Sequence, residues 1–597
     1  MPTPAPLAAE ASPRRLLLLL PLFVASGAAA LIYEIVWFQL LSLVIGASAV
    51  SIAVLLATFM GGMCLGSLGL AKRVSAGRSP LKVYAALELG IGLLGIVVLV
   101  VLPYAGGLYA AIGGSGTGGL LLRALLAALC LLPPTILMGA TLPAISREVR
   151  ATPEGMSYLG ILYGGNTLGA VIGCLVAGFV LLRNFDVVTA TGVAVALNFV
   201  IAAVAWLMAG SRAPVPEVAA ERATSKLPAG SWPVLLTLGL SGLTALGSEV
   251  VWTRILSLLL GPTTYTFSLI LGGFLAGLGI GSSAGAFLAR FIANPRAALG
   301  WCQLLLVLAL GWAAWSLTAA LPYWPINPSL STAPAYTFQI DIIRALWVVL
   351  PGALLWGASF PLGLAALASK DDDPARLVGV AYAANTLGAI VGSLVTSLLL
   401  IGTIGTQNTQ RVLIALAAIS ALLTLALLVG EHGRLKLAPR GLLAGGGAAL
   451  LGLWVISTVG TIPPLLVGYG RFMAYRMNAH GDFIFVGEGT NSTVAVSQLE
   501  NGVRNYHNAG KVQASSEPQD MRLQRMLGHF TTLLSPKPSE VLVIGFGAGV
   551  TAGAVSIDPM VEHVTIAELE PLVPKVAGEY FRESNHGVAQ NPKVSVH

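Results

Sequence analysis

Apolar stretches of about 20 residues follow one another from Leu16 to Gly460, and no other feature restricts the fold of this chain so strongly. A helix of about 20 residues crosses about 30 Å of hydrocarbon. Inside lipid every backbone N–H and C=O must bond within its own segment, so these stretches are predicted to be helices. Only 10% of the 597 residues are charged, whereas a soluble domain carries about 25%. The 70 glycines suit closely packed membrane helices. The first run opens as "SPRRLLLLL", in the manner of a secretion signal. It continues unbroken to Gly46 and is read as an uncleaved first span.

The runs come in two matching sets. "SGAAALIYEIVWFQLLSLVIG" (26–46) aligns with "SGLTALGSEVVWTRILSLLLG" (241–261) at an offset of 215. Ser26, Glu34, Trp37, Leu41, Ser42 and Gly46 meet Ser241, Glu249, Trp252, Leu256, Ser257 and Gly261. "YGGNTLGAVIG" aligns with "YAANTLGAIVG", so Asn166 corresponds to Asn385 at an offset of 219. Six spans are predicted per half: 16–45, 50–71, 83–103, 119–146, 157–182 and 187–209, then 233–260, 265–291, 298–320, 341–367, 378–402 and 411–430. An even number makes the halves parallel repeats, similar to those of the major facilitator transporters.

Loop charges set the expected orientation. Arg14, Arg15, Lys72, Arg73, Arg78, Arg147, Arg150, Arg212, Arg222 and Lys226 fall on one face. Arg290, Arg296, Lys370, Arg376, Arg434, Lys436 and Arg440 join them. That face is read as cytoplasmic, with the N-terminus inside, in a multi-pass protein of the cell (inner) membrane. The net charge of +7 largely resides in such loops, not in a basic patch interleaved with aromatics. The expected partner is therefore the lipid bilayer and not nucleic acid. "GLLAGGGAALLGLWVISTVG" (441–460) is predicted as a thirteenth span. If it crosses, the rest of the chain lies outside; if it is re-entrant or lies along the surface, the rest stays cytoplasmic.

From about Arg471 the composition becomes that of a soluble domain. "FIFVGEGTNSTVAVSQL" and "VRNYHNAGKVQAS" alternate as strands of a small β-unit. "PQDMRLQRMLGHFTTLL" has helical spacing. An apolar strand, Val541–Ile544, then leads into Gly545, Gly547 and Gly549 and a helix start. Glycine permits a tight turn and close approach of backbone to a ligand. A second strand, "HVTIAEL", carries Glu568 at its end, where a carboxylate suits the hydroxyls of a ribose. The alternative is a glycine-rich turn without a ligand.

With these elements the tail resembles the spermidine synthase (polyamine aminopropyltransferase) family, in the variety fused to a multi-span membrane region. The resemblance implies a β-hairpin domain followed by a Rossmann-like domain, with decarboxylated S-adenosylmethionine as cosubstrate and a polyamine as acceptor. It matches the family's glutamine to Gln513 and its ribose-binding acid to Glu568. The family's loop reads G-G-G-D-G-G where this chain has "GFGAGV", so the loop aspartate falls on Ala548. The family's Tyr-His pair falls on Leu523 and Gln524, with Arg525 in place of an acid. S-adenosylmethionine, and with it a methyltransferase, is the second reading. The chain stops at "NPKVSVH", near the third strand. The expectation is a longer reading frame, or another chain that completes the site; the catalytic base stays unassigned.

The boundaries that follow are membrane repeat 1 over 1–210, a cytoplasmic linker over 211–231 and membrane repeat 2 over 232–430. The thirteenth segment and its linker occupy 431–470, the β-hairpin domain 471–515, and the nucleoside-binding domain 516–597. The fold class is thus an α-helical membrane bundle of two six-helix repeats plus a thirteenth span, then a β-hairpin unit and an incomplete Rossmann-like domain.

Glu34 and Glu249 are expected either to join the two repeats through a buried bond or to serve as proton or ion sites, since an acid at that depth is costly. Arg254 is considered a cross-repeat partner of Glu34. Asn166 and Asn385 are expected to bond between helices. Glu88 has Gln303 as its repeat mate, so no charge is required there. Cys64, Cys130, Cys174 and Cys302 lie in apolar runs, and His507, His529, His563, His586 and His597 lack metal spacing, so no metal is expected. Asp371 is a candidate helix cap. A transporter-like bundle with a non-catalytic nucleoside-binding domain is the reading from a different class. Oligomeric state is left open.

Overall fold

The computed structural model describes residues 13–44, 49–70, 79–112, 116–146, 153–209, 230–324, 333–367, 374–429, 435–437, 439–478 and 481–597. The basic residues at 72–78, 147–150, 212–226, 370 and 434, most of the 211–231 linker and Asp371 lie outside the described residues.

The membrane region is a bundle of long apolar helices. In the first part these are α1 (Pro13–Val44), α2 (Ala49–Leu65), α3 (Pro80–Ile112), α4 (Gly116–Ser146), α5 (Pro153–Val176) and α6 (Val187–Ala209). The second part has α7 (Trp232–Leu260), α8 (Thr264–Ala289), α9 (Pro295–Trp315), α10 (Pro334–Leu367), α11 (Pro374–Val395) and α12 (Ile401–Ala426). Then comes α13 (Pro439–Thr458). Among the described residues, eleven helices are long and apolar enough to cross a membrane. The spans expected at 378–402 and 411–430 are two helices that follow one another almost without a connection, within one apolar run, Gly379–Ala426. They are separated at Gly405 (φ 74°, ψ 169°), a conformation that a residue without a Cβ adopts without strain. The apolar part of α13, Leu443–Thr458, is shorter than the others.

Two helices stand at the centre. The apolar windows of α1 and α7 are 67% and 72% buried, more than any other span. Small residues make this possible, because glycine lets two backbones touch. A side chain on Gly27 would overlap the Asn166 carbonyl, and one on Gly242 the Asn385 carbonyl. Phe38 stacks on Phe267 with ring centroids 4.2 Å apart, bridging the first and second parts of the bundle.

The tail begins with a four-stranded antiparallel sheet: β1 (Asp482–Glu488), β2 (Thr493–Gln498), β3 (Arg504–Asn508) and β4 (Lys511–Ser515), in that order. Helix α14 (Pro518–Leu534) leads to a parallel sheet of β5 (Glu540–Ile544), β6 (His563–Ala567) and β7 (Val594–Val596), with α15 (Val550–Ser556) and α16 (Leu572–Tyr580) between them. The two sheets share one apolar core, in which Val494, Val496 and Tyr506 pack with Phe546, Val564 and Val573. The Arg504 guanidinium adds a hydrogen bond to the Tyr580 carbonyl at 2.6 Å.

Candidate functional site: the glycine loop and its acids

Strands β5 and β6 pair in parallel, with Ile544 opposite Ala567. This register brings the loop after β5 beside the acid after β6. The Gly545 N–H extends the ladder to the Ala567 carbonyl at 2.8 Å. One residue further on, the Phe546 N–H donates to Glu568 Oε2 at 2.7 Å. Glu568 Oε1 accepts from the Glu570 N–H at 2.9 Å. The acid thus tethers the glycine loop while its remaining lone pairs stay available.

All three loop glycines have positive φ: 84° at Gly545, 54° at Gly547 and 78° at Gly549. The space differs between them. Nothing lies within 4 Å of where a Cβ would stand on Gly545 or Gly547. At Gly549 a Cβ would meet the Phe546 ring and the Asn585 amide. Gly549 therefore serves internal packing, while the first two glycines border open space. Phe546 and Ala548 turn inward and are buried. The Ala548 carbonyl accepts from Asn585 Nδ2 at 3.1 Å. Gln513 lies exposed on β4. Leu523 and Arg525 are exposed on α14, and Gln524 Nε2 donates to the Ser515 carbonyl at 3.2 Å.

Glu570, which the sequence reading passed over, holds a second loop in place. It is buried, and its Oε2 accepts from the Asn491 N–H at 2.7 Å and the Ser492 N–H at 3.2 Å. Its Oε1 accepts from the Leu572 N–H at 3.1 Å. Those amides belong to the turn between β1 and β2. Gly489 is required there, since a Cβ would strike the Glu570 carboxylate. The one hint in the sequence is the alternation "AELEP", which carries two acids where a ribose needs one.

The same turn corrects the expected Glu34–Arg254 pair. Arg254 lies toward the C-terminal end of α7 and donates to three carbonyls of the turn: Gly489 at 2.6 Å, Thr490 at 3.3 Å and Ser492 at 3.5 Å. The carboxylates of Glu488 and Glu570 supply the opposite charge beside it. Glu488 also accepts from the Thr406 N–H at 3.0 Å and from its hydroxyl, just past the break at Gly405. Arg471 completes the docking through Asp341 Oδ2 at 3.2 Å and the Leu260 carbonyl at 3.3 Å. The β1–β2 turn is thus held by a membrane helix on one side and by Glu570 on the other.

Within the bundle, Glu34 and Glu249 lie within electrostatic reach of each other and of Cys174. Glu249 Oε1 is buried without a hydrogen-bond partner among the described residues. Asn166 Nδ2 donates to the Phe23 carbonyl at 3.3 Å. Glu88 accepts from Ser26 and Asn198, each at 2.6 Å, whereas Gln303 donates to Ser359 at 2.8 Å. No cluster of three or more metal-type ligands occurs among the described residues.

Residues 520–597 match the spermine/spermidine synthase domain family. Polyamine aminopropyltransferase 1 of Streptomyces coelicolor is 26% identical over 373 residues, covering 61% of this chain and 64% of its own length. The polyamine aminopropyltransferase of Oceanobacillus iheyensis is 24% identical over 366 residues, covering 58% of this chain and 63% of its own. At family level, the chain is linked to the polyamine aminopropyltransferases. Both alignments are far longer than the tail and so reach into the membrane helices. The chain spans less than two thirds of the length of these relatives. A solved spermidine synthase from Thermotoga maritima aligns over 19% of this chain and 40% of its own, at 23% identity and a TM-score of 0.18, too little to argue fold from.

Proposed function

We propose that the tail is a membrane-anchored, spermidine synthase-like transferase domain that binds an S-adenosyl donor through its glycine loop. One observation carries the reading: Glu568 is bonded to the loop amide of Phe546, beside open space over Gly545 and Gly547. A nucleoside lying on that loop would set its ribose hydroxyls against Glu568. By kinship the transferred group is aminopropyl and the acceptor a polyamine. Gln513 and Glu568 are the positions carried over from the family. In this reading 471–515 is the β-unit and 516–597 a Rossmann-like nucleoside domain. The test is calorimetric titration of the full protein with decarboxylated S-adenosylmethionine and with S-adenosylmethionine. Binding of neither overturns the reading.

Ala548 favours a second donor. The loop offers no carboxylate for the donor's amine, and Ala548 itself points into the core. Preference for the carboxylated donor would turn the reading toward methyl transfer.

The bundle is read as two related halves. Four observations support this. The Gly27–Asn166 contact has its counterpart in Gly242–Asn385. Gly169 against Val24 has its counterpart in Gly388 against Gly239. The π-helical turns at Ala177–Leu181 and Thr396–Leu400 stand at the same offset as the asparagines. Glu34 and Glu249, which match at the offset of 215, lie within electrostatic reach of each other. A transport role for the bundle is the alternative reading, and the feature it would use is an open cleft of about 350 Å³ between the halves, bordered by Gln39, Phe179, Arg183, Thr263 and Tyr265 at their helix ends. Unchanged uptake of polyamines or nucleosides into vesicles by a Glu34→Gln, Glu249→Gln double variant would remove the carboxylates from that role.

A further inference from the structure

The direction of each membrane helix is fixed against its neighbours. Gly165 packs on Leu20, Gly169 on Val24 and Gly173 on Ala28, so α1 and α5 run the same way. Gly277, Gly281 and Gly285 of α8 meet Ala353, Leu354 and Ala358 of α10, which makes that pair parallel too. In contrast, α12 and α13 are antiparallel. Gly445 lies against Ala426 and Gly452 against Ala418, and Gln407 Nε2 donates to the Val459 carbonyl at 2.9 Å. Helix α13 therefore returns along the length of α12 beyond Gly405. It delivers the chain to the end of the bundle where that part of α12 begins.

The two ends differ in charge. The segments joining α2 to α3, α4 to α5, α6 to α7, α8 to α9, α10 to α11 and α12 to α13 all carry Lys or Arg. The connections at the opposite end, 45–48, 113–115, 261–263 and 324–333, carry none. Among the connections at that end Arg183, near Asp186, is the exception, and Arg123, Arg254, Arg344 and Arg411 stand inside the helices near that end. The tail docks at this second end. Its contacts are Arg254 and the Leu260 carbonyl late in α7, Asp341 early in α10, and Thr406 after the break.

Short basic loops stay on the cytoplasmic side. We propose that α13 crosses the membrane and that the C-terminal domain stands on the extracytoplasmic face, opposite the basic loops. The consequence for substrates rests on the donor reading above; the placement does not. An S-adenosyl sulfonium is a permanent cation, and an unpaired charge does not cross hydrocarbon unaided. A carriage step that moves a cationic nucleoside across the membrane must then precede any transfer at this site.

The test uses the protein's own cysteines. All four lie in apolar helices, at Cys64, Cys130, Cys174 and Cys302, and are replaced by alanine. Single cysteines are then introduced as Glu500→Cys and Glu562→Cys in the tail, and as Ala293→Cys on the basic side, all at exposed positions. Spheroplasts carrying the full chain are treated with a membrane-impermeant maleimide. The tail sites are expected to label at once, and Ala293→Cys only after permeabilisation. The reverse pattern, or labelling of both sets at the same stage, overturns the proposal. If the cysteine-free chain does not insert, alkaline phosphatase is fused after His597 of the native chain. An active phosphatase supports the placement; an inactive one, with a fluorescent cytoplasmic fusion at the same point, overturns it. Neither assay uses a ligand. Loss of the donor reading would leave the placement standing, and a cytoplasmic tail would leave the donor reading standing.

Discussion

Arg254, on a membrane helix, donates a hydrogen bond of 2.6 Å to the carbonyl of Gly489, in a turn of the C-terminal domain. On its far side the turn is gripped by Glu570, two residues after the acid that tethers the glycine loop. Membrane helix, turn, Glu570 and glycine loop therefore form one continuous path of polar contacts.

Arg254→Met should loosen that docking. Hydrogen bonds to charged groups are worth about 1.5–3 kcal/mol each, so a loss of about 2 kcal/mol is expected at this junction. Hydrogen exchange of the amides at 489–492 should accelerate, while the amides of the β5–β7 sheet keep their protection. Equal exchange in variant and parent would remove Arg254 from the docking role.

Glu568→Ala should free the Phe546 amide and the loop with it. A lost charge-assisted bond of about 1.5–3 kcal/mol corresponds to roughly 10- to 100-fold weaker donor binding. Titration of the purified protein reads this directly. Binding equal to that of the parent would show that the acid does not face the ligand.

Gly489→Ala should disturb the site from a distance, since the added methyl strikes the Glu570 carboxylate. Moving a buried carboxylate off its amides costs about 1–3 kcal/mol. The thermal midpoint of the tail should fall, whereas Gly502→Ala, in a turn with open space, should pay only for its positive φ, about 1 kcal/mol.

His507 gives the β-unit a pH dependence. Burial pushes its imidazole below the ordinary value. The ring is held neutral, with Nδ1 donating to the Gly468 carbonyl at 2.9 Å and Nε2 accepting from Ser497 at 2.8 Å. The unfolded chain takes up a proton at about pH 6.5, before the folded one does. Stability should therefore be flat above about pH 6.5 and fall as pH drops from there toward the folded pKa. Thermal melts from pH 8 to pH 5 would follow this, and His507→Gln should flatten the slope.

Much of the tail is legible in the sequence because its signals are local. An apolar strand, spaced glycines and an acid at the next strand end suffice to bring Glu568 to the loop. Glu570 is hidden because its partners, Asn491 and Ser492, are nearly 80 residues away. Arg254 is misread for the same reason. Alignment of the two halves points it toward Glu34, while its actual partners lie in a turn whose position only the folded tail defines. The break between the last two spans of the second half is legible too: hydropathy leaves a gap at 403–410, and the non-helical Gly405 falls inside it.

The long separation between Arg254 and Gly489 also has a consequence in time. The arginine leaves the ribosome 235 residues before the carbonyl that will receive it. At about 5–20 residues per second, this gap amounts to roughly 10–50 s. Throughout that interval a guanidinium waits near the end of an inserted helix without its protein partners. Until residues 489–492 arrive, an unfinished molecule differs from a finished one by a guanidinium that lacks these three carbonyl partners.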